Sequence, residues 1–247
     1  MKYLRLALGF LTVLPSGGSQ PLAPGDLGRA AAWYPWVGLL LGGLVAAVHA
    51  ALGQVFPPLL AAALTVAAWA GLTGGLHLDG LADCCDALPH PSSPSRRLEI
   101  LKDSRLGSFG GIGLNLFLLL KVVALASLPS GKAVWAILLA AVCGRWLLLP
   151  AGRQPAARPG GLGADFALGL RTGHFGLAVV PTLILAGLAG GPGWLGLLLA
   201  HGMAAGVFAL ARNRLGGLTG DVFGLTVETG ELAVLLAFCL RIPAIGG

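Results

Sequence analysis

Seven stretches of this chain are each about as long as a bilayer is thick and carry at most two charges, and no other feature restricts its fold so strongly. A hydrocarbon core about 30 Å thick takes roughly 20 apolar residues of helix. The expected spans are Ala32 to Gly53, Pro58 to Gly75, Gly110 to Leu128, Ala133 to Pro150, His174 to Gly190, Trp194 to Ala211 and Val222 to Leu240. Composition agrees, with 56% apolar residues, 11% charged residues and a mean hydropathy of +0.84. The expected fold class is therefore all-α, a polytopic transmembrane bundle of six to seven spans with short cytosolic or interfacial helices. Most of the 40 glycines lie within apolar runs, where small residues let helices pack closely. Tyr3 to Leu14 has a basic start but is interrupted by Arg5 and lacks a small-residue cleavage signature, so it reads as an interfacial or re-entrant helix rather than a signal peptide. Cys84, Cys85, Cys143 and Cys239 have no C-x-x-C spacing and are expected to be free thiols.

Basic residues give an independent check on the spans, because cytosolic loops carry the excess of Lys and Arg. With a cytosolic N-terminus, Lys2, Arg5, Arg29, Arg96, Arg97, Lys102, Arg105, Arg153, Arg158, Arg171, Arg212 and Arg214 face inward, while only Lys132 and Arg241 face outward. Lys121 and Arg145 fall inside spans. The net charge of +6 follows from this bias and requires no nucleic-acid partner. The chain is expected to form one integral membrane domain, residues 1–247, containing a cytosolic motif-bearing segment over residues 76–109. A second long cytosolic loop runs from Ala151 to Arg171.

Acids are scarce, so their positions are informative. Of ten Asp and Glu residues, all but Asp26 and Asp165 fall in three short segments at cytosolic span ends or just inside them. In the first segment, GGLHLDGLADCCDAL, spacings of four and three place Asp79, Asp83 and Asp86 on one helix face, within about 60° of arc. Stacked anions repel, and a divalent cation relieves the repulsion. All-oxygen ligation suits Mg²⁺, which takes one or two carboxylates together with phosphate oxygens and water. His77 abuts this cluster and is a candidate to orient a ligand or accept a proton.

The second segment, LEILKDSRLGSFGGIGL, sets Asp103 as a further metal ligand and Lys102 and Arg105 as cations for phosphate oxygens. The third, LGGLTGDVFGLTVETGE, follows Arg212 and Arg214 with a glycine-flanked Asp221 at a span entrance, which suits a phosphate and cation site. Glu228 lies two turns deeper on the same face and is a candidate substrate contact. Glu231 belongs either to the site or to a structural pair with a basic residue such as Arg145. His49, His90, His174 and His201 read as structural.

These three motifs, in this order, together with FLTVLP at residues 10–15, closely resemble those of the adenosylcobinamide-GDP ribazoletransferase family, the cobalamin synthases, and the likeness runs from end to end. Two departures are Val13, where the family usually has Arg, and Cys84, where a small hydroxyl residue is common. The resemblance implies an Mg²⁺-dependent enzyme of the cell inner membrane. Such an enzyme joins adenosylcobinamide-GDP to α-ribazole or its 5′-phosphate, releasing GMP and forming adenosylcobalamin or its 5′-phosphate. On that reading Asp79, Asp83 and Asp86 bind one or two Mg²⁺ with help from Asp103 and Asp221, and Lys102 and Arg105 hold the pyrophosphate. A ribazole 5′-hydroxyl would pass its proton to His77 or a metal-site aspartate, whereas a 5′-phosphate nucleophile would need no base. The bilayer is a partner, and self-association is left open.

Two rivals predict different observations. A transporter places carboxylates near the midplane, often in repeated halves; here the acids gather at one face and no internal repeat stands out. The D-G-x-x-D-x-x-D spacing is also similar to that of the CDP-alcohol phosphotransferases, which would use a CDP-linked donor.

Overall fold

In the computed structural model, residues 1–17, 22–129 and 131–240 are described, and they form helices joined by loops, with no strand among them. The helices are α1 (Lys2–Leu11), α2 (Asp26–Ala30), α3 (Tyr34–Gly53), α4 (Pro58–Leu72), α5 (Leu76–Ala87), α6 (Pro94–Ile100), α7 (Ser108–Ala126), α8 (Ala133–Ala151), α9 (Leu162–Gly169), α10 (Thr172–Ala189), α11 (Gly191–Leu215) and α12 (Gly220–Cys239). Six segments are long and apolar enough to cross a membrane: Asp26–Gly53, which joins α2 to α3 through a short 3₁₀ turn, and α7, α8, α10, α11 and α12. This is a multi-pass membrane protein. The outward-facing position expected for Arg241 lies outside the described residues.

The second expected span, Pro58 to Gly75, is the one that is broken. Helix α4 has 15 residues, so it is about 22 Å long and stops short of a full crossing. Thr73 to Gly75 then turn the chain by 95° into α5. Gly74 (φ +61°) and Gly75 (φ +69°) make the turn, both in the left-handed region that side chains disfavour. We read α4 as the crossing and α5 as lying across the mouth that the short helix leaves.

Helices α8 and α12 form the centre of the bundle, and each has most of its residues buried. Helix α3 runs antiparallel against α8, so closely that a Cβ on Gly38 would lie 2.7 Å from the Ala141 carbonyl oxygen. That approach is the close packing expected of glycine in apolar runs. Large apolar side chains of α7, α10 and α11, among them Leu119, Ile184 and Leu198, face outward. The ten residues of α1 are too few to cross; Ala7 and Leu11 are buried against the bundle and Lys2 pairs with the buried Asp26 at 3.0 Å.

Four charged side chains meet inside the bundle. Lys121 of α7 donates to Glu228 (2.8 Å) and Glu231 (2.5 Å) of α12, and Arg145 of α8 pairs with the other oxygen of Glu231. The Trp69 ring of α4 lies 4.5 Å from the Lys121 ammonium. With two cations and two carboxylates, the cluster is neutral and ties four helices together. Glu231 is thus in the structural pair with Arg145. Glu228, expected to touch substrate, is buried and accepts from Lys121, an ammonium that needs a carboxylate inside an apolar bundle.

Candidate functional site

Helix α5 is held against the first turns of two spanning helices, and that placement builds the site. It crosses α12 where glycine allows backbone contact: a Cβ on Gly80 would lie 2.7 Å from the Asp221 carbonyl oxygen, and one on Gly224 would lie 2.9 Å from that of His77. At the far end of α5, Asp86 accepts from the amides of Gly107 and Gly110, each at 2.8 Å. One carboxylate therefore caps the N-terminus of α7, where free amides and the helix dipole favour a negative charge. Each Asp86 oxygen accepts one of these bonds, so this residue, expected as a metal ligand, also clasps α5 to α7.

Asp83, half-buried, occupies the middle of the face. Asp79, Asp86 and Asp221 are all close enough for their charges to act on it. Asp79, Asp83, Asp86 and Asp221 have no Lys, Arg or His nitrogen within ion-pair distance among the described residues. Asp221 accepts from the Thr219 hydroxyl at 3.0 Å, and that hydroxyl also accepts from the Val222 amide and caps α12. Among the described residues, no three His, Cys, Asp or Glu side chains converge closely enough to hold a metal ion alone. Such oxygen donors, without cationic partners, fit a hard divalent ion that also takes oxygens from substrate and water.

The other expected residues are distributed differently. Asp103 lies in the connection between α6 and α7 and is bound by Arg105, whose side chain donates at 2.6 and 2.9 Å and whose amide donates at 3.1 Å. Those bonds hold its carboxyl down to about 2, so it is ionised at neutral pH. The structure does not bring Asp103 into contact with the α5 aspartates. Lys102, Arg105 and Arg214 are exposed, and the Arg214 carbonyl receives a hydrogen bond from the buried Arg97. His49, His174 and His201 each have a hydrogen-bond partner inside the fold, in keeping with structural roles.

A cavity of about 210 Å³ opens beside Asp79 and Asp221. Its polar wall includes His77, Asp79, Arg158 and Asp221, and its apolar wall includes Tyr34, Phe166 and Phe223. The aromatic rings are in mutual contact, with centroids 5.9 Å apart for Tyr34 and Phe166 and 5.5 Å for Phe166 and Phe223. His77 is 3% exposed, and its Nε2 has no hydrogen-bond partner. Arg158 is the residue that sequence reasoning passed over, counting it only as a loop charge. Its signal was present: an Arg followed by Pro-Gly-Gly in the second long loop, a pattern that holds a cation on a tight turn.

Comparison with known proteins supplies independent information. The family described as Cobalamin-5-phosphate synthase matches residues 3–239. The chain is 45% identical over 240 residues to an adenosylcobinamide-GDP ribazoletransferase of Deinococcus radiodurans, covering 95% of this chain and 84% of that protein. It is 40% identical to the protein of that name from Roseiflexus sp., covering 96% and 89%, and 41% identical to that of Ectopseudomonas mendocina, covering 96% and 98%. No solved structure matches the chain.

Proposed function

The chain belongs to the cobalamin-5-phosphate synthase family, and on that premise we propose that it joins adenosylcobinamide-GDP to α-ribazole or its 5′-phosphate, releasing GMP. The observation that carries the site assignment is the pair Asp79 and Asp221, carboxylates from two helices that line one cavity without cationic partners, with Asp83 close enough to feel both charges. Phosphoryl chemistry suits such a rim, since catalysis there rests on placing charge and aligning the reacting groups. Asp79 and Asp221, the two that line the cavity, would hold Mg²⁺ together with the donor's phosphates, and the ion would neutralise charge developing on the diphosphate.

The reaction balances as follows. A ribose oxygen of the acceptor forms a bond to the phosphorus next to cobinamide, the bridging P–O bond breaks, and GMP leaves with the electron pair. A product named cobalamin 5-phosphate keeps the acceptor's phosphate, so that phosphate is not the nucleophile. This corrects the expectation that a phosphorylated acceptor needs no base: a ribose hydroxyl must lose a proton with either acceptor. Asp83, whose carboxyl is pushed up to about 6 first by burial and then by the charges of Asp79, Asp221 and Asp86, is our choice of acceptor for it. His77 lines the cavity, and we assign it to orienting substrate. Lys102 and Arg105, exposed on this face, are positioned to meet the outer parts of a large donor.

We place this face in the cytosol, with the protein in the cell inner membrane. The support is its charge: Arg96, Lys102, Arg105, Arg153, Arg212 and Arg214 are exposed at this end of the bundle, whereas Lys132 begins α8 at the opposite end. The deciding experiment uses protein reconstituted in vesicles and assays GMP release with adenosylcobinamide-GDP and α-ribazole. Release that requires Mg²⁺ and stops with EDTA supports the proposal. Turnover of CDP-diacylglycerol in place of the GDP-linked donor, or solute flux without chemistry, overturns it.

A further inference from the structure

We infer that Arg158 is a phosphoryl-binding residue, its guanidinium holding a phosphate oxygen in the cavity beside Asp221; this rests on the reaction proposed above and extends it to a residue of the α8–α9 loop. The position is built by the backbone. The amide of Leu218 donates to Pro155 at 2.8 Å and the amide of Ala157 donates to Leu218 at 2.9 Å, a parallel bridge between two loops. The bridge requires glycine at 217, where a Cβ would lie 2.6 Å from the backbone of Ala156. Arg158 is thus one residue beyond a fixed point, and Thr219 to Asp221 begin one residue beyond the same point on the other strand. The aliphatic stem of Arg158 lies near Gly161, where a Cβ would be 3.4 Å from its Cγ.

The guanidinium is set close enough to Asp221 for its charge to act on that carboxylate, yet among the described residues it forms no ion pair. Its Nη1 is fully buried and has no hydrogen-bond partner. A buried N–H of a permanent cation without an acceptor is rare and costly, and it calls for an anionic partner that arrives from outside the chain. Arg158 lines the cavity together with Tyr34, Phe166 and Phe223, which describes a ligand with an oxyanion next to a flat apolar group. A nucleotide-like molecule has that form. The phosphate comes from one of two sources, the diphosphate of the donor or the 5′-phosphate of the acceptor.

The test measures kcat and KM for the Arg158→Gln and Arg158→Lys enzymes with α-ribazole and with α-ribazole 5′-phosphate, each against the GDP-linked donor. Loss of a charge-assisted contact is expected to raise KM roughly 10- to 100-fold for whichever substrate brings the phosphate. A rise confined to α-ribazole 5′-phosphate assigns the acceptor; a rise in donor KM with both acceptors assigns the diphosphate. Arg158→Lys, which keeps the charge but not the fork, should fall between wild type and Gln, and it serves as the assay if the Gln variant fails to fold. KM values within threefold of wild type for every substrate overturn the assignment. Should the wild-type protein release no GMP, the reaction itself is wrong, and the arginine is then read by thermal shift with inorganic pyrophosphate and inorganic phosphate. Stabilisation of wild type that is absent from both variants upholds the site; equal shifts, or none, reject it.

Discussion

Two sets of carboxylates lie on or against α12, a few helical turns apart, in opposite electrostatic condition. At the mouth, Asp221 joins Asp79 and Asp83 with no cationic partner; deeper in, Glu228 and Glu231 are saturated by Lys121 and Arg145. The same residue class therefore has two uses in one helix. The paired set neutralises its own charges and holds the bundle together. The unpaired set, two of whose members border a cavity, has no counter-ion within the fold, and on our proposal an ion and a substrate would supply it. Charge balance within the fold, more than depth in the membrane, separates scaffold from site.

The comparison can be broken by exchanging these conditions. The largest effect is expected for Asp83→Asn, which should lower GMP release about 10³-fold while the protein still inserts and folds, since no internal partner is lost. A nearly active variant with normal KM values would mean that the mouth cluster is only a solvated acidic face. Glu231→Gln should do the reverse, leaving Arg145 buried without its counter-ion and costing about 3–5 kcal/mol of stability. Thermal denaturation in detergent would register that cost, and any activity lost should follow the folded fraction. Asp86→Ala comes next: with two α7 amides uncapped, about 1–2 kcal/mol should go, and turnover should fall through misplacement of α5 rather than loss of metal affinity. An Mg²⁺ titration distinguishes the two, because unchanged metal dependence is the expected result. The smallest effect is expected for Arg105→Ala, which should raise donor KM about tenfold at low salt, with the difference shrinking as ionic strength rises.

Much of this arrangement was legible beforehand. The spans follow from hydropathy, and the shared face of Asp79, Asp83 and Asp86 follows from helical spacing, because both depend on near neighbours in the chain. Even the break after α4 has a local sign, the Gly74–Gly75 pair, although its 95° angle depends on what α5 packs against. The partnerships across long separations were harder to see. Arg145 was one of the alternatives for Glu231, but Lys121, 107 and 110 residues from its two carboxylates, has no local pattern that announces the pairing. Asp86 looked like its two neighbours until Gly107 and Gly110 claimed it. Arg158 could not be distinguished from other loop arginines because the bridge to Leu218 that aims it joins segments about sixty residues apart.

The ion cluster also carries information about the order in which the protein is made. Lys121 and Arg145 belong to helices synthesised about a hundred and about ninety residues before the glutamates that neutralise them, and those glutamates sit on α12, the last described helix. Until that helix arrives, two cations wait in the membrane without partners, and the mouth lacks Asp221. A chain cut before α12 therefore keeps two buried cations without their carboxylates and lacks Asp221 at the mouth, so neutralising the bundle and completing the proposed site fall to the same helix.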